Sequence, residues 1–219
     1  ADSGMHLIPE GLTDEDVLFV GDILSTGYFG AESGNIQPGD TVAVFGSGPV
    51  GMCAMATARL WGPARIVAVD IDDSRLEFAR KNGWADIGLN PNQVDVVQAL
   101  KDMTYGRGAD VTIEANGFEP TFKGAIEGVR PAGTVSVIGV FETPQTVPMN
   151  KIWIRNLTIR MGLVNANRIP ELIDLIKEGK INMKPLITHT LPLSQIAKAY
   201  DIFEERRDNA IKVVLKADA

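Results

Sequence analysis

The stretch TVAVFGSGPVGMCAMATARLWGPARIVAVD, Thr41 to Asp70, holds a hydrophobic run, a glycine-rich turn, a segment of helical period, a second hydrophobic run and one acid. That order predicts strand, helix, strand. Gly46-Ser47-Gly48-Pro49-Val50-Gly51 falls between the first strand and the helix, the context in which a Gly-x-Gly-x-x-Gly turn points to dinucleotide binding. In that reading Gly46 permits the tight turn, Gly48 lets backbone approach a pyrophosphate, and Gly51 lets helix and strand pack closely. Pro49 suits a first helical turn but has no N–H to offer a phosphate. Val50 and its neighbours supply the helix N-terminal amides and their partial positive charge. Asp70 ends the second strand nineteen residues after Gly51, close to the spacing at which a carboxylate reaches the adenosine ribose hydroxyls. The cofactor expected is NAD, because a 2′-phosphate would face this carboxylate. Ile71 and Arg75, just beyond, are expected beside the adenosine ribose.

The same alternation continues on both sides. "TVAVFG", "RIVAVD", "DVTIEANG" and "GTVSVIGV" read as strands, separated by helical segments at Val50 to Trp61, Ser74 to Asn82 and Pro120 to Val129. A weaker strand at "ADIGLN" and a helix near Asn92 to Met103 complete the set. Parallel strands need crossover helices and are buried on both faces, so the fold class expected is α/β with a doubly wound parallel sheet. Ligands of such sheets bind at the carboxyl ends of the strands, which points to "EANG", Glu114 to Gly117, and "VIGV", Val137 to Val140. The flanks differ in texture. Residues 1 to 21 suggest a short strand carrying His6, then a helix start at Thr13-x-x-Asp16. Residues 164 to 219 suggest a helix from Ile169 to Glu178, a strand "LITHTLPL", a helix from Ser194 to Glu204 and a last strand "AIKVVLK".

Bulk composition narrows the class. Lys+Arg number 21 against 28 Asp+Glu, a net charge of −7, and no basic run exceeds Arg206-Arg207, so nucleic acid is not an expected partner. Apolar runs such as "ARIVAV" are far short of the ~20 residues of a membrane helix, and the first residues show no basic-then-apolar signal. A cytoplasmic protein with no membrane partner is expected. Its 1 cysteine, Cys53, allows neither an internal disulfide nor a thiolate zinc cluster.

Several spaced motifs occur in register: Asp-x-x-x-Thr-Gly at Asp22 to Gly27, "QPGDTVAVFGSGPVG", "VAVDIDDSRLEFARKNGWAD", "GRGADVTIEANG" and "RPAGTVSVIGV". Together they resemble the zinc-dependent medium-chain alcohol dehydrogenases over nearly the whole chain. The resemblance implies a Rossmann domain at 25–163. Remnants of a GroES-like catalytic domain would flank it, 1–24 with the connecting helix and 164–219 as the return. It implies Asp22 as a ligand of the catalytic zinc and Thr26 against the nicotinamide. Ala115 and Asn116 would lie on the adenosine side, Ile138, Gly139 and Val140 at the carboxamide, and Met161, Gly162 and Leu163 in the last cofactor-lining turn. The substrate implied is a small-molecule alcohol or aldehyde, which the residues near Tyr28 and Met161 do not narrow further.

The resemblance also implies that the Cys and His completing the zinc site, the proton relay and most of the substrate pocket belong to an N-terminal portion outside these 219 residues. Zinc is therefore expected only with those further ligands, since a catalytic site takes three protein ligands and an open position. Cys53 shares a helix face with Val50, Ala54 and Thr57 and reads as core; His6 and His189 lie on strand patterns and read as structural. The chain is expected to bind NAD as a fragment or truncated product with negligible turnover. Two other classes remain open, a zinc-free medium-chain reductase and a non-catalytic NAD-binding or oligomerisation module. Thr146 to Met161 is expected to present an edge strand that pairs two copies, giving a homodimer or tetramer.

Overall fold

The computed structural model describes residues 5–164, 167–205 and 207–217. Two short helices, α1 (Asp14–Val17) and α2 (Ile23–Ser33), lead into β1 (Thr41–Phe45), α3 (Pro49–Ala58), β2 (Arg65–Val69), α4 (Asp73–Lys81) and β3 (Ile87–Leu89). Then come α5 (Val96–Asp102), β4 (Ala109–Glu114), α6 (Glu119–Gly128), β5 (Val129–Val137), α7 (Met149–Ile152) and β6 (Thr158–Met161). The chain closes with α8 (Ile169–Lys177), β7 (Ile187–Pro192), α9 (Ile196–Glu204) and β8 (Lys212–Lys216). The first six strands form one parallel sheet in the order β3-β2-β1-β4-β5-β6, and β7 pairs with β8, also parallel.

Alternation along each strand builds the layers. Val42 and Val44 of β1, Ile66 and Ala68 of β2, and Val111 and Ile113 of β4 pack on one face with α2, α3 and α4. Ala43, Phe45, Val67 and Val69 pack on the other with α5 and α6. The central strands are buried on both faces, which is why they read as unbroken apolar runs. The first cluster also takes in Val17, Leu172, Ile176 and Leu186, so both flanks share the core beneath α2 and α3. Tyr28 of α2 ties the return segment down: its hydroxyl donates to Glu171 at 2.9 Å. The 24/25 boundary expected from sequence falls inside α2.

Several expectations need correction. Residues 5–9 form no strand, and His6 lies in this irregular segment. The expected edge strand over Thr146 to Met161 is confined to Thr158–Met161; Pro148, without an N–H for a ladder, instead starts the helical turn α7. The "ADIGLN" strand shortens to Ile87–Leu89. The helix expected from Asn92 begins at Val96, because Asp95 caps it, its Oδ1 accepting from Gln98 N–H at 3.0 Å. The helix expected from Ser194 begins as a 3₁₀ turn, and α9 proper starts at Ile196.

The helix start at Thr13 is as expected. Asp16 accepts from the Thr13 N–H at 2.7 Å and its hydroxyl at 2.6 Å, and pairs with Lys184 Nζ at 2.7 Å. Lys184 and then Thr13 hold this carboxyl down to about 2, against an ordinary 3.8. A depressed folded-state pKa contributes stability in full above the ordinary value and loses it as pH falls toward the folded one. Asp16→Asn is expected to lower Tm at neutral pH, with the gap to wild type narrowing steadily below pH ~4. Thermal melts by circular dichroism across that range check this; a gap independent of pH would refute the ion-pair origin.

Candidate functional site: a cleft at the carboxyl edge of the sheet

Strand order turns between β1 and β4, and there the helices leave opposite faces and a crevice opens. β1 runs directly into the glycine turn. Gly46 has φ +104°, a conformation that disfavours a side chain, and its N–H donates to Val69 O at 2.8 Å. A Cβ on Gly51 would stand 1.8 Å from Gly46 O, so α3 meets the turn with no room for a methyl group. A Cβ on Gly48, by contrast, would meet only Arg75 Nη1, at 3.8 Å. The turn is thus closed beneath Gly46 and Gly51 and clear above Gly48, with a guanidinium alongside. A diphosphate suits such a cradle, and the first-turn amides of α3 after Pro49 point the same way.

Asp70 sits across this turn. Its Oδ2 accepts from Ser47 N–H at 2.6 Å and its Oδ1 from Asp72 N–H at 3.0 Å. The acid read from spacing as a ribose ligand therefore also braces the turn, and each oxygen keeps a second lone pair for a hydroxyl. Arg75, in the first turn of α4, lies with Nε 3.8 Å from Asp72.

Gly46, Asp70, Ile71, Arg75 and Asn116 come together around a cleft of about 410 Å³. Val69 and Pro120 also line it, as do Pro91, Phe118 and Thr121, three residues that the sequence reading did not single out. Pro91 follows β3 and Phe118 follows β4, so the strand-end rule pointed there, but nothing in composition marks those two side chains. Ile71 and Phe118 are each 63% exposed, apolar surfaces suited to the faces of a planar base.

The other expected residues sit on neighbouring strand ends. Ala115 N–H donates to Phe45 O at 2.9 Å, holding that loop to β1. Ile138 is buried, its side chain packed on Gly30 of α2, which leaves only its backbone for a ligand. Gly139 is half-buried and Val140 exposed. Met161, Gly162 and Leu163 lie exposed where β6 ends, Gly162 close to the Phe29 ring. Thr26 is half-buried in the first turn of α2, its N–H on Asp22 O at 2.8 Å. A Cβ on the next residue, Gly27, would lie 2.5 Å from Ala54 N, so the Thr-Gly pair lets α2 cross tightly over α3.

Asp22 occupies the N-cap position of α2 with its side chain exposed, beside Leu18, Phe19 and Lys212 in a cleft. Cys53 is fully buried and burial pushes its thiol well above the ordinary range, so it serves as core. His189 contacts its neighbour Thr188 through Nδ1 at 3.0 Å. Among the described residues no three His, Cys, Asp or Glu side chains form a group that could hold a metal ion. Zinc does not fit the described side chains of this chain taken alone. Among the described residues no helix is long and apolar enough to cross a membrane.

A six-stranded parallel sheet with a glycine turn at its switch point and an acid at the end of β2 defines a Rossmann-like α/β fold. The chain belongs to the zinc-dependent medium-chain alcohol dehydrogenase family, of which it spans the C-terminal part: residues 49–178 match the family model described as zinc-binding dehydrogenase. It is 43% identical over 220 residues to an alcohol dehydrogenase of Cupriavidus necator, covering 99% of this chain and 60% of that one. Among solved structures it is similar to the alcohol dehydrogenase TADH from Thermus sp. ATN1, with TM-score 0.91 and 37% identity over 96% of this chain and 60% of that one. It is also similar to a short chain alcohol dehydrogenase from Escherichia coli CFT073 complexed with NADH, with TM-score 0.88 and 27% identity over 96% of this chain and 62% of that one. The chain thus spans about 60% of the length of the curated relatives it matches.

Proposed function

We propose that this chain is the NAD-binding part of an alcohol dehydrogenase that moves hydride between a small alcohol or aldehyde and NAD. Asp70 carries this reading: its carboxylate, 2.6 Å from Ser47 N–H, puts negative charge at the mouth of the glycine turn. A ribose hydroxyl is welcome there and a 2′-phosphate is repelled. The turn and the α3 amides hold the pyrophosphate, Ile71 and Phe118 flank the adenine, and Arg75 lies beside the ribose. Thr26, the Ile138–Val140 segment and Met161–Leu163 form the nicotinamide side. The chemistry such a cofactor would supply there is acceptance of hydride from an alcohol. These residues of the chain would hold and orient the cofactor in the crevice. Asp22 would offer one oxygen ligand to zinc at the N-terminal end of α2. We further propose that the free edge of β6, with Met161 exposed at its end, pairs two copies into a dimer.

In a fluorescence titration the 219-residue chain is expected to bind NADH and to bind NADPH about 100-fold more weakly, without oxidising simple alcohols. Absence of NADH binding, or tighter binding of NADPH, would overturn the reading.

A further inference from the structure

Glu114 ends β4, beside the switch point, and is fully buried. A buried carboxyl at that position demands partners. Its backbone oxygen accepts from both Ile138 N–H at 2.9 Å and Gly139 N–H at 3.1 Å, joining the loop after β5. Its side chain is unevenly shared. Oε1 accepts from Asn116 N–H at 3.0 Å, Gly117 N–H at 2.8 Å and the Thr121 hydroxyl at 2.7 Å, fixing the loop after β4 and the first turn of α6. Among the described residues Oε2 has no hydrogen-bond partner; it lies against Gly139, where a Cβ would come within 2.3 Å of it. The two loops also interlock through backbone, since a Cβ on Gly117 would stand 2.1 Å from Val140 O. Burial pushes this carboxyl up, while the Thr121 hydroxyl and the backbone amides of Gly117, Asn116 and Gly139 pull the other way.

The first loop supplies Asn116, Phe118 and Thr121 to the cleft that holds Asp70; Val140 of the second loop lines an adjoining cleft, which Asn116, Gly117 and Phe118 of the first loop share. We propose that Glu114 is a positioning residue for the cofactor, its Oε1 holding the first loop and its Oε2 seated against Gly139 of the second, so that both stand in one register for a ligand spanning them. This rests on the NAD reading above. AMP meets the first loop alone, whereas NADH reaches both, so loss of the lock falls harder on NADH.

The 219-residue chain and its E114Q and E114L variants are titrated with NADH by fluorescence and with AMP by calorimetry. Failure of the wild type to bind NADH would remove the cofactor reading itself, whatever the variants do, and this inference with it. With wild-type binding in hand, E114L is expected to weaken NADH about tenfold and AMP no more than about threefold, and to reduce the emission shift of bound NADH at saturation. E114Q keeps an acceptor at Oε1 and is expected within about threefold of wild type for both ligands. Unchanged NADH binding in E114L, equal losses of NADH and AMP, or E114Q as weak as E114L would overturn the proposal. Should E114L not fold by circular dichroism, E114D, one methylene short of the three donors, is read by the same criteria.

Discussion

Gly51→Ala is expected to destroy NADH binding and to lower Tm by roughly 6–12 °C, the effect of about 3 kcal/mol in a domain of this size. The methyl group would stand 1.8 Å from Gly46 O. That neighbour is backbone, held in turn by the Gly46 N–H bond to Val69 O at 2.8 Å, and it cannot rotate away as a side chain would. α3 must retreat or the turn must unwind, and either movement withdraws the amides proposed to hold the pyrophosphate. Gly48→Ala separates the two consequences. Its Cβ would meet only the far end of Arg75, at 3.8 Å, so Tm is expected to stay within about 3 °C of wild type while NADH binding falls at least tenfold, because the methyl group occupies the approach of the diphosphate. Differential scanning fluorimetry with NADH titration reads both variants. Ordinary NADH affinity in Gly48→Ala would place the diphosphate elsewhere.

Asp70→Ala is expected to weaken NADH about 30-fold and to bring the NADH and NADPH dissociation constants within about threefold of each other. Two effects combine. The carboxylate offers charge-assisted acceptors to ribose hydroxyls, and its loss also releases Ser47 N–H and Asp72 N–H, bonded at 2.6 and 3.0 Å. Asp70→Asn keeps one oxygen for the Ser47 amide and removes the charge. It is expected to lose less NADH affinity than Asp70→Ala while gaining as much for NADPH. Competitive fluorescence titration of the two cofactors measures both; an unchanged preference would show that position 70 does not choose the cofactor.

Much of the fold was legible because its signals are local. A buried parallel strand must be apolar on both faces, so β1, β2 and β4 stand out as runs that could be little else. The glycine turn is equally local, since Gly46 answers to its own positive φ and Gly51 to the backbone of Gly46. What misled was weak local pattern under stronger constraints nearby. Thr146 to Met161 carries strand-like residues, yet Pro148 breaks the ladder and only the last four positions pair with β5. The strand imagined around His6 has no neighbour to pair with among the described residues. A motif could nominate Asp70 for the ribose, but its grip on Ser47 N–H depends on two strand ends meeting across the sheet.

By itself, the sequence determined the parallel α/β class, the helix–strand order, the glycine turn and the acid opposite it, because each follows from residues adjacent in the chain. Tertiary structure alone decided which strand ends meet. It brought Pro91, Phe118 and Thr121 to the cleft and set Glu114 against Ile138 and Gly139 of the loop after β5. It also turned Ile138 into core against Gly30. Those contacts join residues remote in sequence, and their energies come from burial and geometry that no local pattern encodes.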